Sequence, residues 1–132
     1  MARYLLDTDA IIDYLLGVAS SVSLVQDLAR RDDFLCACDV VIAEVYAGLR
    51  PTDREKAQRL LAACYFLTTS PAAARQAGEW RYAHARRGMT LSTTDTLVAA
   101  TAHAHQATVV TGNTGDYPMG ELSVLPLPGV KS

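Results

Sequence analysis

No apolar run in this chain approaches the roughly 20 residues that a helix needs to cross a bilayer. Asp7 also interrupts the amino-terminal stretch where a secretory signal would carry its apolar segment, so the cytosol is the expected compartment and no membrane contact is expected. Cysteine is scarce: Cys36, Cys38 and Cys64 cannot all pair. Neither they nor His84, His103 and His105 show zinc-site spacing, and the thiols read as reduced core residues. Excess positive charge is missing too, the formal net charge being −2. Any contact with nucleic acid must then come from a local basic patch or through bound cations. The sequence shows no internal repeat and no linker.

What is present is an ordinary globular composition, 50% hydrophobic and 20% charged over 132 residues, enough for one domain spanning 1–132 with a packed core. The first fourteen residues organise it. Tyr4-Leu5-Leu6 has no polar member and suits a strand buried on both faces of a parallel sheet. Asp7 stands at its carboxyl end, Thr8 and Asp9 follow as N-cap types, and Ile11, Ile12, Leu15 and Leu16 recur at helical spacing up to Gly17. Asp13 reads as a solvated residue of that helix. In an open α/β sheet this strand-to-helix corner faces the crevice where ligands bind.

Ser20 and Ser21 are placed to cap a second helix, Phe34 to Cys38 reads as a second strand, and Asp39 is placed to cap the helix bearing Glu44 on its flank. Thr52-Asp53-Arg54-Glu55 has the pattern of a capping box. Tyr65 to Thr68 suits a third strand, and Ser70-Pro71 opens a long helix reaching about Arg87 and closed by Gly88. A hydroxyl-rich stretch with Ser92, Thr93 and Thr94 leads Asp95 into the first turn of an alanine-rich helix. Ala107 to Thr111 is a β-branched strand ending in the turn-rich Gly112 to Asp116, and Leu122 to Leu125 is a last strand. Strands alternating with helices predict an α/β fold, a central parallel sheet with helices on both faces.

Asp7, Glu44, Asp95 and Asp116 thus fall at element ends or beside them, far apart in sequence. A parallel sheet would gather them along one edge, where their mutual repulsion calls for a cation, and oxygen-only donors suit Mg²⁺ or Mn²⁺.

Leu5-Leu6-Asp7-Thr8, Glu44 through Leu49, Asp95 heading its helix, and Thr111-Gly112-Asn113-Thr114-Gly115-Asp116-Tyr117 resemble, in order and over essentially the whole chain, the motifs of PIN-domain ribonucleases, and in particular the VapC toxins of bacterial type II toxin-antitoxin pairs. The resemblance implies a three-layer PIN-like fold and a metal-dependent endoribonuclease that leaves 5′-phosphate and 3′-hydroxyl ends. It implies a catalytic, Mg²⁺- or Mn²⁺-binding quartet of Asp7, Glu44, Asp95 and Asp116, with Thr8 and Asn113 supporting it through hydrogen bonds. It also implies a cognate VapB-like antitoxin and a homodimer. The faces bearing Val41 and Val45, or Leu60 and Leu61, are candidate contact surfaces. The sequence departs from the family at Asp9, where Ser or Asn is more usual, which adds either a fifth ligand or a helix cap. It departs again at Tyr117, in place of a common Phe. Arg81, Arg86 and Arg87 form a candidate RNA-phosphate patch, against the simpler reading of cations complementing a helix C-terminus. Trp80 reads as core or interface.

Two other functions compete. Asp7-Thr8-Asp9 also resembles the nucleophile and acid/base pair of haloacid-dehalogenase-like phosphotransferases, which need a lysine near the phosphate, and the only lysines are Lys56 and Lys131. A PIN module that binds RNA or protein without catalysis is the other.

Overall fold

The chain is described here from a computed structural model covering residues 1–128; Lys131 and the end of the expected domain lie outside the described residues. The short apolar segment becomes β1 (Arg3–Leu6), in which Leu5 and Leu6 point to opposite faces and are both fully buried. The remaining strands are β2 (Phe34–Cys38), β3 (Tyr65–Leu67), β4 (Ala107–Thr111) and β5 (Val124–Pro126). All pair in parallel in the order β3-β2-β1-β4-β5, with Leu5 opposite both Cys36 and Val109.

Helices α1 (Thr8–Leu15) and α2 (Ala19–Arg30) connect β1 to β2, and α3 (Asp39–Gly48) and α4 (Arg54–Ala62) connect β2 to β3. The chain then crosses back through α5 (Pro71–Ala85) and α6 (Thr93–Ala104) to β4 on the other side of β1. Right-handed crossovers in opposite directions place α1 to α4 on one face and α5 and α6 on the other. The expected three-layer α/β architecture is therefore present. Val41 and Val45 fill one interlayer core, and Ala73, Ala77, Trp80 and Val98 belong to the same continuous cluster. Among the described residues no single helix is long and apolar enough to cross a membrane.

Several helix starts differ from the sequence expectation. Asp7 itself, rather than Thr8 or Asp9, is the N-cap of α1, its Oδ1 accepting the Thr8 N–H at 2.8 Å. The left-handed Gly17 (φ +75°) ends that helix, and α2 leaves it at 109°. Neither Ser20 nor Ser21 caps α2, which starts one residue earlier; Ser21 is buried and its hydroxyl faces Asp13 Oδ2 at 3.5 Å. Asp39 lies in the first turn of α3, with Cys38 at the cap position, though its Oδ1 still accepts the Val40 N–H. The capping box does not form. A 3-10 turn over Pro51–Asp53 runs into α4, Asp53 pairs with Arg50 at 2.8 Å, and Glu55 pairs instead with Arg59 one turn on.

Other assignments agree closely. Ser70 caps α5 through the Ala73 N–H at 3.0 Å, with Pro71 in the first turn and a left-handed Gly88 (φ +80°) beyond the end. The cysteines are free; burial pushes the Cys38 thiol up to about 11 and the Cys64 thiol up to about 12, so both stay protonated at neutral pH. Val41 and Val45 are fully buried and Leu60 nearly so, which removes them as contact surfaces for a partner.

Ser92 caps α6 through the N–H of Asp95 itself, at 3.0 Å. Ser92→Ala is expected to cost about 1 kcal/mol, read as a lower melting temperature in calorimetry, with the loss concentrated in the helix that presents Asp95.

Candidate active site

The corner between β1 and β4 is where the strand order reverses, since the crossovers through α1 to α4 extend the sheet from β1 toward β3 and the one through α5 and α6 returns past β1 to β4. There the carboxyl ends of two central strands, the first turns of α1 and α6 and one side of α3 enclose a cleft of about 360 Å³. Asp7, Thr8, Asp9, Asp13, Glu44, Asp95, Asn113 and Asp116 line it. All four acids of the expected quartet are brought together, as are Asp9, Thr8 and Asn113. No basic residue lines the cleft. A slightly larger hollow of about 400 Å³ lies at the amino end of β4 against His103 and Glu121, without a comparable set of acids.

Asp7 is the buried member, 7% exposed. Its backbone N–H continues the ladder to Val110, which fixes the side chain beside β4. Its Oδ2 accepts the Thr111 hydroxyl at 2.9 Å and the Tyr117 hydroxyl at 2.8 Å. Glu44 is exposed on the flank of α3, and its Oε1 accepts the Thr8 hydroxyl at 2.8 Å. Thr8 thus supports Glu44 by a hydrogen bond. Asp116 ends an exposed 3-10 turn, Thr114–Asp116, that follows β4.

Asp9 has a different set of contacts. Its Oδ2 accepts the Gly112 N–H at 2.7 Å and the Asn113 amide at 3.1 Å, tying α1 to the loop that carries Asp116. Asn113 therefore braces Asp9 rather than a member of the quartet. Burial raises the Asp9 pKa above its ordinary value, Asp7 and Asp13 add to the rise, and the Gly112 and Ala10 N–H groups oppose it. Asp13, read from sequence as solvated, lies four residues after Asp9 on the same face of α1 and also lines the cleft. That spacing was the available signal, masked because an acid at a helix surface is so often merely solvated.

Asp95 shows how crowded the cleft is. Its pKa is raised, first by burial and then by Asp116, Asp7 and Glu44, with the Ser92 hydroxyl opposing. In the conformation described, no three His, Cys, Asp or Glu side chains among the described residues stand close enough together to hold one ion. The donor chemistry nonetheless fits a hard divalent cation: every acidic group is an oxygen donor, the groups repel one another, and no protein cation offsets them.

The arginines divide. Arg81 Nε donates to the Leu91 carbonyl at 2.9 Å and pins the α5–α6 connection. The Arg86 guanidinium sits 4.4 Å from the ring centroid of Tyr82, which is 65% exposed, and Arg87 is exposed beside them. Trp80 is core, 6% exposed and packed against His103. Lys56, required near Asp7 by the phosphotransferase reading, instead donates to the Leu15 carbonyl and lies over Tyr14.

A raised carboxyl pKa means that the folded state holds its proton more tightly than the unfolded chain. The cost of ionising Asp95 accumulates as pH rises through the interval between 3.8 and the folded value, and is complete above it. Asp95→Asn is therefore expected to raise the melting temperature in metal-free buffer near pH 7. The gain should vanish below pH 4, which melting curves across pH would record.

The sequence over residues 4–117 matches the PIN domain. Ribonuclease VapC10 of Mycobacterium tuberculosis is 32% identical over 117 residues, covering 89% of this chain and 87% of that protein. Ribonuclease VapC19 of the same organism is 28% identical over 117 residues, covering 87% and 92%. The fold is similar to that in the crystal structure of VapBC2 from Rickettsia felis bound to a promoter DNA fragment, with a TM-score of 0.83 at 21% identity and coverage of 94% of this chain and 98% of that one. With the family match spanning residues 4–117 and a relative 32% identical over 89% of the chain, the chain belongs to the PIN domain family.

Proposed function

We propose that this protein is a metal-dependent endoribonuclease of the VapC type, a toxin restrained by a cognate VapB-like antitoxin. The observation that carries the reading is the gathering of Asp7, Glu44, Asp95 and Asp116 into one cleft at the β1/β4 switch point. The relatives named ribonucleases, and the similar fold solved as a VapBC assembly, support it.

In this reading Asp7, Glu44, Asp95 and Asp116 would hold Mg²⁺ or Mn²⁺, which when bound would supply activation of water and charge neutralisation at the scissile phosphate. Asp7 is the fixed member of the set, held by Thr8, Thr111 and Tyr117. Glu44 and Asp116, exposed at the rim, have the freedom to adjust to the ion and the RNA. Asp9 keeps the Gly112–Asn113 loop against α1 through its Oδ2, so that Asp116 stays at the cleft. The attacking group comes from water and not from the RNA 2′-hydroxyl, which leaves 5′-phosphate and 3′-hydroxyl ends.

The backbone of the RNA is drawn to Arg86 and Arg87, while Tyr82 offers an exposed ring on which a base can stack. Arg81 acts indirectly, by joining that helix end to the connection that leads to Ser92 and Asp95. Contacts with an antitoxin or a second copy fall to exposed apolar groups such as Leu16 and Val18 after α1, or Tyr65 and Phe66 on the edge strand β3.

Incubation of the antitoxin-free protein with total cellular RNA and Mg²⁺ or Mn²⁺, with sequencing of new ends, tests the reading. Discrete cuts bearing 5′-phosphates are expected, lost with EDTA and reduced more than about 100-fold in Asp7→Asn. Cyclic-phosphate ends would refute the mechanism, and a phosphorylated Asp7 would favour the phosphotransferase. Metal binding with no cleavage over a broad RNA panel would favour a binding module. Separately, Tyr82→Ala is expected to weaken single-stranded RNA binding about tenfold in anisotropy measurements, with Tyr82→Phe near wild type.

A further inference from the structure

Tyr117 follows the 3-10 turn Thr114–Asp116, and its side chain is 4% exposed. A phenylalanine would fill the same apolar space. The hydroxyl does something more specific, because it donates to Asp7 Oδ2 at 2.8 Å while the Thr111 hydroxyl donates to the same oxygen at 2.9 Å. A phenol, with an ordinary pKa of about 10, carries its proton at neutral pH and so acts here as the donor and the carboxylate as the acceptor.

A carboxylate offers about four lone-pair positions, two on each oxygen. On Asp7, Oδ2 has both positions taken by hydroxyls, and Oδ1 has one taken by the Thr8 N–H. One acceptor position remains, on Oδ1. Asp7 is also 7% exposed, so water does not readily replace a donor that is lost. A carboxylate in this state can give a cation one oxygen and not both.

This count bears on which cation fits. Mg²⁺ asks for near-octahedral geometry at short distances, is typically held by single carboxylate oxygens and keeps much of its water. Ca²⁺ takes six to eight oxygens and commonly accepts both oxygens of one carboxylate. We propose that the Tyr117 and Thr111 hydroxyls hold Asp7 as a one-oxygen ligand, so that the cleft favours small octahedral cations such as Mg²⁺ and Mn²⁺ and disfavours Ca²⁺. Tyr117 is then a positioning residue that sets metal selectivity through Asp7. The inference rests on the reading of the cleft as a divalent-metal site.

The test measures binding, not cleavage. Free Mn²⁺ is followed by electron paramagnetic resonance as antitoxin-free protein takes it up, and Ca²⁺ is titrated in to displace it, for the wild type, Tyr117→Phe and Thr111→Val. Loss of Mn²⁺ uptake in Asp7→Asn identifies the site observed. The expected result is that Tyr117→Phe raises the affinity for Ca²⁺ relative to Mn²⁺ about fivefold or more, equivalent to about 1 kcal/mol. Thr111→Val, which frees the other Oδ2 position, should shift the ratio in the same direction and provides the answer if the tyrosine variant does not fold. An unchanged or lowered ratio in a folded variant overturns the inference while leaving the metal reading standing. Failure of the wild type to bind Mn²⁺ overturns both, so the two failures are distinguishable.

Discussion

The structure depends on a concentration of like charge at the point where the sheet changes direction. Carboxylates from β1, α1, α3, α6 and the turn after β4 share one cleft without a protein cation among them. Such a site is unfavourable in itself, and the surrounding fold supplies donors against it. Asp7 takes three, from Thr8, Thr111 and Tyr117; Asp9 takes the Gly112 N–H and the Asn113 amide; Glu44 takes the Thr8 hydroxyl. The segment Thr111 to Tyr117 provides most of these donors. β4 and its following turn therefore act as the counterpart of β1 and α1, holding the acids in place while also carrying one of them.

This arrangement explains why stability and function pull in different directions at the cleft. Burial beside other acids raises the pKa of Asp95 and of Asp9, which means that ionising them costs folding free energy. A divalent cation would recover that cost through binding to the folded state alone. The hydroxyl donors limit the cost without neutralising the charge, so the acids remain available as ligands. An alternative solution, a lysine or arginine inside the cleft, would stabilise the apo protein and compete with the cation.

The elements with strong local signals were readable from sequence. Leu5 and Leu6 announced a central strand, Ser70-Pro71 and Gly88 bracketed α5, and Ala107 to Thr111 marked β4. The helix starts that failed did so because another partner won. Glu55 was drawn to Arg59 and the 3-10 turn over Pro51–Asp53 put Asp53 rather than Thr52 at the cap of α4, so the capping box did not form, and Ser21 was turned into the interior toward Asp13. The apolar faces of Val41 and Val45 were equally compatible with core and interface, and only packing assigned them to the core.

By itself the sequence determined the alternation of strand and helix, the placing of Asp7, Asp95 and Asp116 at element ends, and the ordered motifs that resemble PIN-domain ribonucleases, because those depend on neighbours a few residues apart. Tertiary structure alone decided that Asn113 braces Asp9 and that the hydroxyl of Tyr117 holds Asp7. Each of these pairs a group from one strand-end segment with a group from another. Tyr117 and Asp7 are separated by 110 positions along the chain. Hydrogen bonds between such distant groups are set by which strands lie side by side and in what register, and no local periodicity carries that information.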